Sequence, residues 1–274
     1  MIQGAWRHML LASGALALFT QSAAAQTISI PDFSSGQVAW QQGNGGELNA
    51  VPGVPGPMAD DPAYPFVPNG RGKQPTFRIA DLTTPNLKQW AKDIMKKDND
   101  EVIAGKIAYT PGSSCKPAGT PALMLGGGPF FFVQTSKEVT LISEGDHQVR
   151  HIYMDVPHSA NVKPSWYGES VGHYEGETLV IDTIGQSTKT FVDNYRTPHT
   201  EKLHVVERWR LVNEGKNIEV HITVDDPDTY NQPWQARRQF RRVQATLQEE
   251  ACAENNLNFG LFDYHIPEAK TPDF

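Results

Sequence analysis

Two spacings of apolar residues divide the chain. Leu87, Trp90, Ala91, Ile94 and Met95 fall at i, i+3, i+4, i+7 and i+8, with Lys88, Lys92, Asp93, Lys96 and Lys97 on the opposite side. That pattern predicts one amphipathic helix, capped by Thr84, with Pro85 in its first turn and an end near Asp98. From Pro129 onward the period falls to two. Eight candidate strands follow, at 129–134, 138–143, 148–155, 169–174, 178–184, 203–211, 217–225 and 234–243. They are rich in Val, Ile, Thr and aromatic residues and are bounded by Gly, Asp or Asn turns. No helical pattern lies between them, which excludes a parallel α/β sheet. The expected fold is all-β, an antiparallel up-and-down barrel of about eight strands. A closed barrel of that size has room for one small ligand.

Upstream of the helix the pattern disappears. Residues 26–76 are rich in Gly, Pro, Asn, Gln and Asp, and Val51-Pro-Gly-Val-Pro-Gly-Pro can form neither a helix nor an inner strand. This stretch is expected to be an irregular arm, leaving 77–274 as the helix-plus-barrel domain. The first 25 residues read as a secretory signal. Arg7 and His8 give a short polar start, Met9 to Thr20 an apolar run too short to span a bilayer, and Ala23-Ala24-Ala25 small residues at a cleavage site. A periplasmic or secreted protein is expected, with no membrane span after processing. Export permits a disulfide between Cys115 and Cys252, the two cysteines of the chain, although two separate buried thiols remain the alternative.

Composition narrows the function classes. The 274 residues carry 24 Lys+Arg against 31 Asp+Glu, a formal charge of −7. That balance argues against nucleic acid as the main partner, because phosphate binding needs clustered positive charge. The chain has no nucleotide loop, no Rossmann fingerprint and no haem-attachment Cys-x-x-Cys-His, so any chemistry is expected to be cofactor-independent. Nothing in the sequence fixes the oligomeric state.

If the strands run up and down in order, the long connections 156–168, 185–202 and 226–233 gather at one end, and 144–147, 175–177 and 212–216 at the other. Long loops collected on a rigid scaffold form a binding mouth. His158 and His199, each after a proline, are the candidate proton carriers at neutral pH. Trp166, Tyr195, Tyr230 and Trp234 would form the walls of a substrate site, with Arg150 as a further binding group. Two strand carboxylates stand on apolar faces: Glu207 among Leu203, Val205, Trp209 and Leu211, and Asp182 between Val180 and Ile184. Burying a charge is costly unless it is paired. Each is therefore either matched to an arginine or poised as an acid or base. Tyr153 could add a proton donor near the mouth.

Two other chemistries find weaker support. His199-x-Glu201-x-x-His204 lacks the i, i+4 spacing of a helical zinc motif, and His173, His221, Asp225 and Asp226 could join a metal only through the fold. Gly168-Glu-Ser170-Val-Gly172 has the G-x-S-x-G form but lies in a predicted hairpin, whereas a nucleophile elbow needs a strand-to-helix turn. No metal site and no serine nucleophile is expected.

Several longer motifs are familiar together. They are Arg150-x-Ile-Tyr-x-Asp155, Pro157-His158, Trp166-x-Gly168-x-Ser170-Val-Gly172-His-Tyr-Glu-Gly-Glu-Thr-Leu-Val-Ile-Asp182-Thr, His199-Thr-Glu-x-Leu-His-Val-Val-Glu207-Arg-Trp and Val224-Asp-Asp226-Pro-x-x-Tyr-x-x-Pro233-Trp234. Over roughly 110–258 the chain resembles a widespread group of exported bacterial all-β proteins. The resemblance implies export and fold, and implies no reaction. That group carries Cys-His-Glu-Gly-Asn near its end, where this chain has Cys252-Ala253-Glu254-Asn255-Asn256, so any role of that histidine is lost or supplied differently here. The barrel is also lipocalin-like, but no strand opens with the Gly-x-Trp of lipocalins, so that likeness is fold analogy alone.

The expected function is an exported enzyme using His/carboxylate acid–base catalysis, a lyase, hydrolase or isomerase acting on a small aromatic or hydroxylated molecule. The alternative is a non-catalytic periplasmic carrier. An enzyme needs Asp182 or Glu207 left unneutralised and close to a histidine; a carrier of apolar ligands does not.

Overall fold

The computed structural model describes residues 30–34, 38–42, 47–66, 77–106, 108–145 and 148–249. The expected signal segment and Cys252 lie outside these residues, so neither cleavage nor the Cys115–Cys252 bridge is tested by them. Eight of the strands fall where the period-two pattern puts them: β3 Phe130–Gln134, β4 Glu138–Ser143, β5 Gln148–Met154, β6 Glu169–Glu175, β7 Thr178–Ile184, β8 His204–Val212, β9 Asn217–Asp225 and β10 Trp234–Gln244. Two more come from the arm: β1 Val38–Gln42 and the two-residue β2 Asn49–Ala50.

β1 closes the barrel. It pairs antiparallel with β10 on one side and with β3 on the other, completing a ring of nine strands, while β2 joins β10 outside the ring. The arm is thus a structural part of the barrel rather than a wholly irregular cover. Its Val38-Ala-Trp40 core is buried, with Trp40 Nε1 donating to the Phe33 carbonyl at 2.7 Å.

Nine is an odd number, and a closed ring with an odd number of strands cannot alternate direction throughout. One neighbouring pair must be parallel. That pair is β5–β6, with Ile152 opposite Ser170 and Met154 opposite Gly172. The strictly up-and-down order expected from the sequence fails at this step. The connection 155–168 is long enough for the crossover that parallel neighbours require. Two glycines make the join possible. Gly168 has φ +66°, and a Cβ there would lie 2.3 Å from the Ile184 carbonyl oxygen; a Cβ on Gly172 would lie 2.8 Å from Ile152 Cγ2.

The crossover redistributes the loops. The turns 135–137, 176–177 and 213–216 share one end of the barrel. The long loops 185–203 and 226–233 share the other, together with Glu144 and Gly145, while 155–168 runs along the wall from the first end to the second.

Side chains fill the lumen. Trp209 stacks on Phe240 with centroids 5.7 Å apart and meets Phe132 edge-on at 5.6 Å; Leu141, Ile152 and Trp40 are also fully buried. A barrel this small is packed by its own residues. The helix α1, Gln89–Ile103, runs five residues beyond the expected end and starts after Lys88, which makes no side-chain cap. Its buried face is Ala91, Met95, Asn99 and Val102, and the Asn99 amide bonds both backbone groups of Ala80. Trp90 and Ile94, expected inside, are 37% and 44% exposed. The Lys88 amide donates to the Thr229 carbonyl and Trp90 Nε1 to that of Asp228, so contacts with 226–233 set the helix start instead of Thr84. Among the described residues no helix is long and apolar enough to cross a membrane.

Candidate functional site

The two out-of-place carboxylates take opposite sides of the wall. Along β8, Val205, Glu207 and Trp209 point inward, and Glu207 is fully buried. It meets Arg150 of β5 in a bidentate pair, Nη1 to Oε1 at 3.1 Å and Nη2 to Oε2 at 2.5 Å. Arg150 Nε donates to Ser170 at 3.1 Å and Nη2 to Thr183 at 2.8 Å, and these two hydroxyls bond each other at 2.9 Å. The arginine is 1% exposed. Glu207, expected as an acid or base, and Arg150, expected to bind substrate, thus neutralise each other inside the core and face no solvent.

Asp182 points outward. On β7 the inward residues are Leu179, Ile181 and Thr183, so the face that Asp182 shares with Val180 and Ile184 is the outer one. There it is the centre of a chain of groups. Asp182 Oδ1 lies 2.9 Å from His158 Nε2 and 2.9 Å from His204 Nε2. The other nitrogen of His158, Nδ1, is 3.0 Å from Glu169 Oε1. Glu169 in turn accepts from the Ser159 amide at 2.7 Å and the Ser159 hydroxyl at 2.5 Å. The crossover brings His158 and Ser159 onto the wall, β6 supplies Glu169, β7 Asp182, and β8 His204.

Proton counting separates the two histidines. A carboxylate accepts only, so each ring nitrogen facing one must donate. His158 lies between two carboxylates, with Nε2 at Asp182 and Nδ1 at Glu169, so both of its ring nitrogens are engaged. His204 donates from Nε2 to Asp182, which leaves the lone pair on Nδ1. Its side chain is 41% exposed. A half-exposed ring oriented through one nitrogen by a carboxylate is the arrangement of a general base.

The electrostatics agree. The hydrogen bond to Asp182 raises the His204 pKa above its ordinary value, against a smaller opposing effect of burial. Burial works to raise Asp182, but the bonds from His204 and His158 outweigh it and hold the carboxyl below the usual range. Glu169 is likewise lowered, first by the Ser159 hydroxyl and then by the Ser159 amide.

The remaining expected residues scatter. His199 is 3% exposed; its Nε2 meets Thr190 Oγ1 at 2.8 Å and its Nδ1 donates to the Thr200 carbonyl at 2.8 Å. Burial lowers its pKa. With both nitrogens engaged, it latches the 185–203 loop instead of carrying protons. Tyr230 and Trp234 are buried, their rings 6.1 Å apart edge-on, and belong to the core beneath the long loops. Trp166 is half-buried on the crossover. Tyr153 is 47% exposed on the outer face of β5, opposite Val171, which is itself opposite Asp182. Two strand spacings put it about 10 Å from the cluster. Tyr195 lines a cleft of about 330 Å³ at the long-loop end, with Glu47, Asp60 and Arg78. The expected mouth thus divides into an open acid–base cluster on the wall and a separate cleft.

In the sequence, His204 stands out only through its spacing from His199 and Glu201, which suggests a metal ligand and not an acid–base group. Strand parity was the available signal: with Glu207 inward, residues 204 and 206 face outward. His173 and His221 bond Glu175 and Glu219, at 3.1 and 3.2 Å, and Asp226 caps Thr200 and Thr229. Among the described residues no three His, Cys, Asp or Glu side chains are arranged to ligate an ion. Comparison of the chain with protein families, curated proteins and solved structures finds no match.

Proposed function

We propose that the protein is an exported enzyme that transfers protons between His204 Nδ1 and a small aromatic or hydroxylated substrate, in a reaction of the lyase, hydrolase or isomerase type. One observation carries this reading: Asp182 orients the ring of His204 through Nε2 at 2.9 Å, in a side chain that is 41% exposed. His204 and His158 hold the Asp182 carboxyl below the usual range, and Glu169 fixes the His158 ring from its other side. The chemistry asks for no cofactor, because an imidazole with a raised pKa exchanges protons near neutral pH unaided. Export through the N-terminal segment, with cleavage near Ala25, and a Cys115–Cys252 bridge belong to the same reading.

The alternative is a non-catalytic carrier. The cleft at Tyr195 favours it, since the packed lumen leaves no room for a ligand there. Turnover of lignin-type ethers, glycosides and terpenoid esters by wild type, His204→Ala, Asp182→Asn and His158→Ala, with and without chelator, decides between them. The enzyme reading expects wild-type turnover that is indifferent to chelator and falls about 10²–10⁴-fold in His204→Ala. Turnover unchanged in His204→Ala would refute the assigned role, and binding without turnover would support the carrier.

A further inference from the structure

A further carboxylate stands beside the acid–base cluster and takes no part in its hydrogen bonds. In the β8–β9 ladder His204 lies directly opposite Asp225, and the next outward pair along the same two strands is Val206 opposite Thr223. Side chains directly opposite on one face of an antiparallel pair have their Cβ atoms about 5 Å apart. His204 is thus flanked on both sides, by Asp182 of β7 and by Asp225 of β9. Val206 is also opposite Asp182, so Val206 and Thr223 form the half-buried surface next to the ring.

The two flanking carboxylates differ in what they already hold. Asp182 accepts from both His158 and His204, at 2.9 Å each. Asp225 is half-buried and, among the described residues, makes neither a hydrogen bond nor an ion pair. Its neighbour Asp226 is fully buried and caps Thr200 and Thr229. Lys202, the lysine nearest His204 in sequence, is bonded to Asp228 at 2.8 Å. The His204 pKa is raised first by the Asp182 hydrogen bond, against burial, and then by the charges of Asp182 and Asp225. An outward carboxylate with both oxygens unengaged, beside a half-exposed imidazole, is an acceptor offered to a molecule that reaches that ring.

We propose that Asp225 selects the substrate of His204: it accepts a hydrogen bond from a hydroxyl or amide N–H of an uncharged molecule held at the ring, and it turns away molecules that carry a carboxylate. The proposal rests on the acid–base reading of His204 and narrows its substrates to neutral, hydroxylated ones. A carboxylated molecule has no proton to donate to Asp225 and brings a like charge within a few ångströms of it.

Alkylation of His204 in the full chain tests this with two small probes. Iodoacetamide and iodoacetate deliver the same methylene carbon to an imidazole nitrogen, with loss of iodide. One carries a neutral amide with N–H donors, the other a carboxylate. Rates at His204 are read by peptide mass mapping at neutral pH, and each is divided by the rate for N-acetylhistidine. The corrected preference for iodoacetamide is expected to be about three- to tenfold in the wild type, to shrink in about 0.5 M NaCl, and to fall within about twofold in Asp225→Asn. The salt series needs no variant and reads the same charge. A wild-type preference no greater than that of N-acetylhistidine, or one that survives Asp225→Asn or high salt, would overturn selection by Asp225 and leave the role of His204 untouched. A His204 that neither reagent modifies would overturn both, because a ring closed to molecules of this size serves no substrate.

Discussion

Substitution of Glu207 by glutamine separates a structural from a catalytic role most cleanly. The side chain keeps its shape and loses its charge. In the wild type, Arg150 places four hydrogen bonds, two on Glu207 and one each on Ser170 and Thr183, at 1% exposure. In Glu207→Gln the guanidinium stays buried with no counter-charge. Breaking one side of a buried pair costs about 3–5 kcal/mol, far more than the roughly 0–1 kcal/mol of a surface pair. For a domain of this size each kcal/mol lowers Tm by roughly 2–4 °C, so a fall of roughly 6–20 °C is expected. Thermal and urea unfolding followed by near-UV circular dichroism and tryptophan fluorescence read it directly, since Trp209 stands two residues along the same inward face. Arg150→Met/Glu207→Leu removes both charges and leaves Ser170 and Thr183 bonded to each other. That double variant is expected to recover most of the loss. The reasoning is refuted if Glu207→Gln unfolds within about 1 kcal/mol of wild type, or if it keeps its stability and loses turnover.

Other outcomes follow from the same geometry. Gly168→Ala, at φ +66° with its Cβ 2.3 Å from the Ile184 carbonyl oxygen, is expected to cost at least about 2 kcal/mol in urea unfolding; a smaller loss would mean that the crossover joins β6 differently. The raised pKa of His204 contributes stability that is fully present below the unfolded value near 6.5 and is lost as pH rises through the folded value. His204→Asn should therefore flatten the decline of stability with pH just above 6.5, measured by denaturant midpoints, and an unchanged slope would contradict the pairing. Asp182 has a lowered pKa, so its contribution is present above the unfolded value near 3.8 and is lost as pH falls through the folded one; Asp182→Asn should show a shallower acid limb. His199→Ala is expected to lower Tm and loosen hydrogen exchange in 185–203, while its folded fraction retains turnover.

The barrel was legible because eight of its strands alternate clearly and are separated by strong turn residues. β1 was not: its five residues sit between Gly-rich flanks, and one short apolar run among them carries no period. The parallel β5–β6 pair was hidden for a related reason. Direction depends on the number of strands in the ring, and with β1 uncounted, eight strands close without a parallel pair. Pairing of Glu207 with an arginine was one of the two readings its apolar face allowed. Asp182 was harder, because Val180 and Ile184 made its face look like the core, whereas the apolar side facing the lumen is Leu179 and Ile181. Aromatic character alone could not tell a binding wall from packing, so Tyr230 and Trp234 read as walls when they are core. Among the expected acid–base groups, His158 and Asp182 do meet, and strand register on the outer face adds His204 to them.

The central claim is that Asp182 orients His204 and leaves its Nδ1 to exchange protons. NMR titration of the His204 imidazole nitrogens, in wild type and in Asp182→Asn, tests it most directly. The account predicts a neutral ring protonated at Nε2 and a pKa above the ordinary histidine value that falls toward 6.5 in the variant. A His204 ring that is protonated at Nδ1, or that titrates identically in the two proteins, would contradict it.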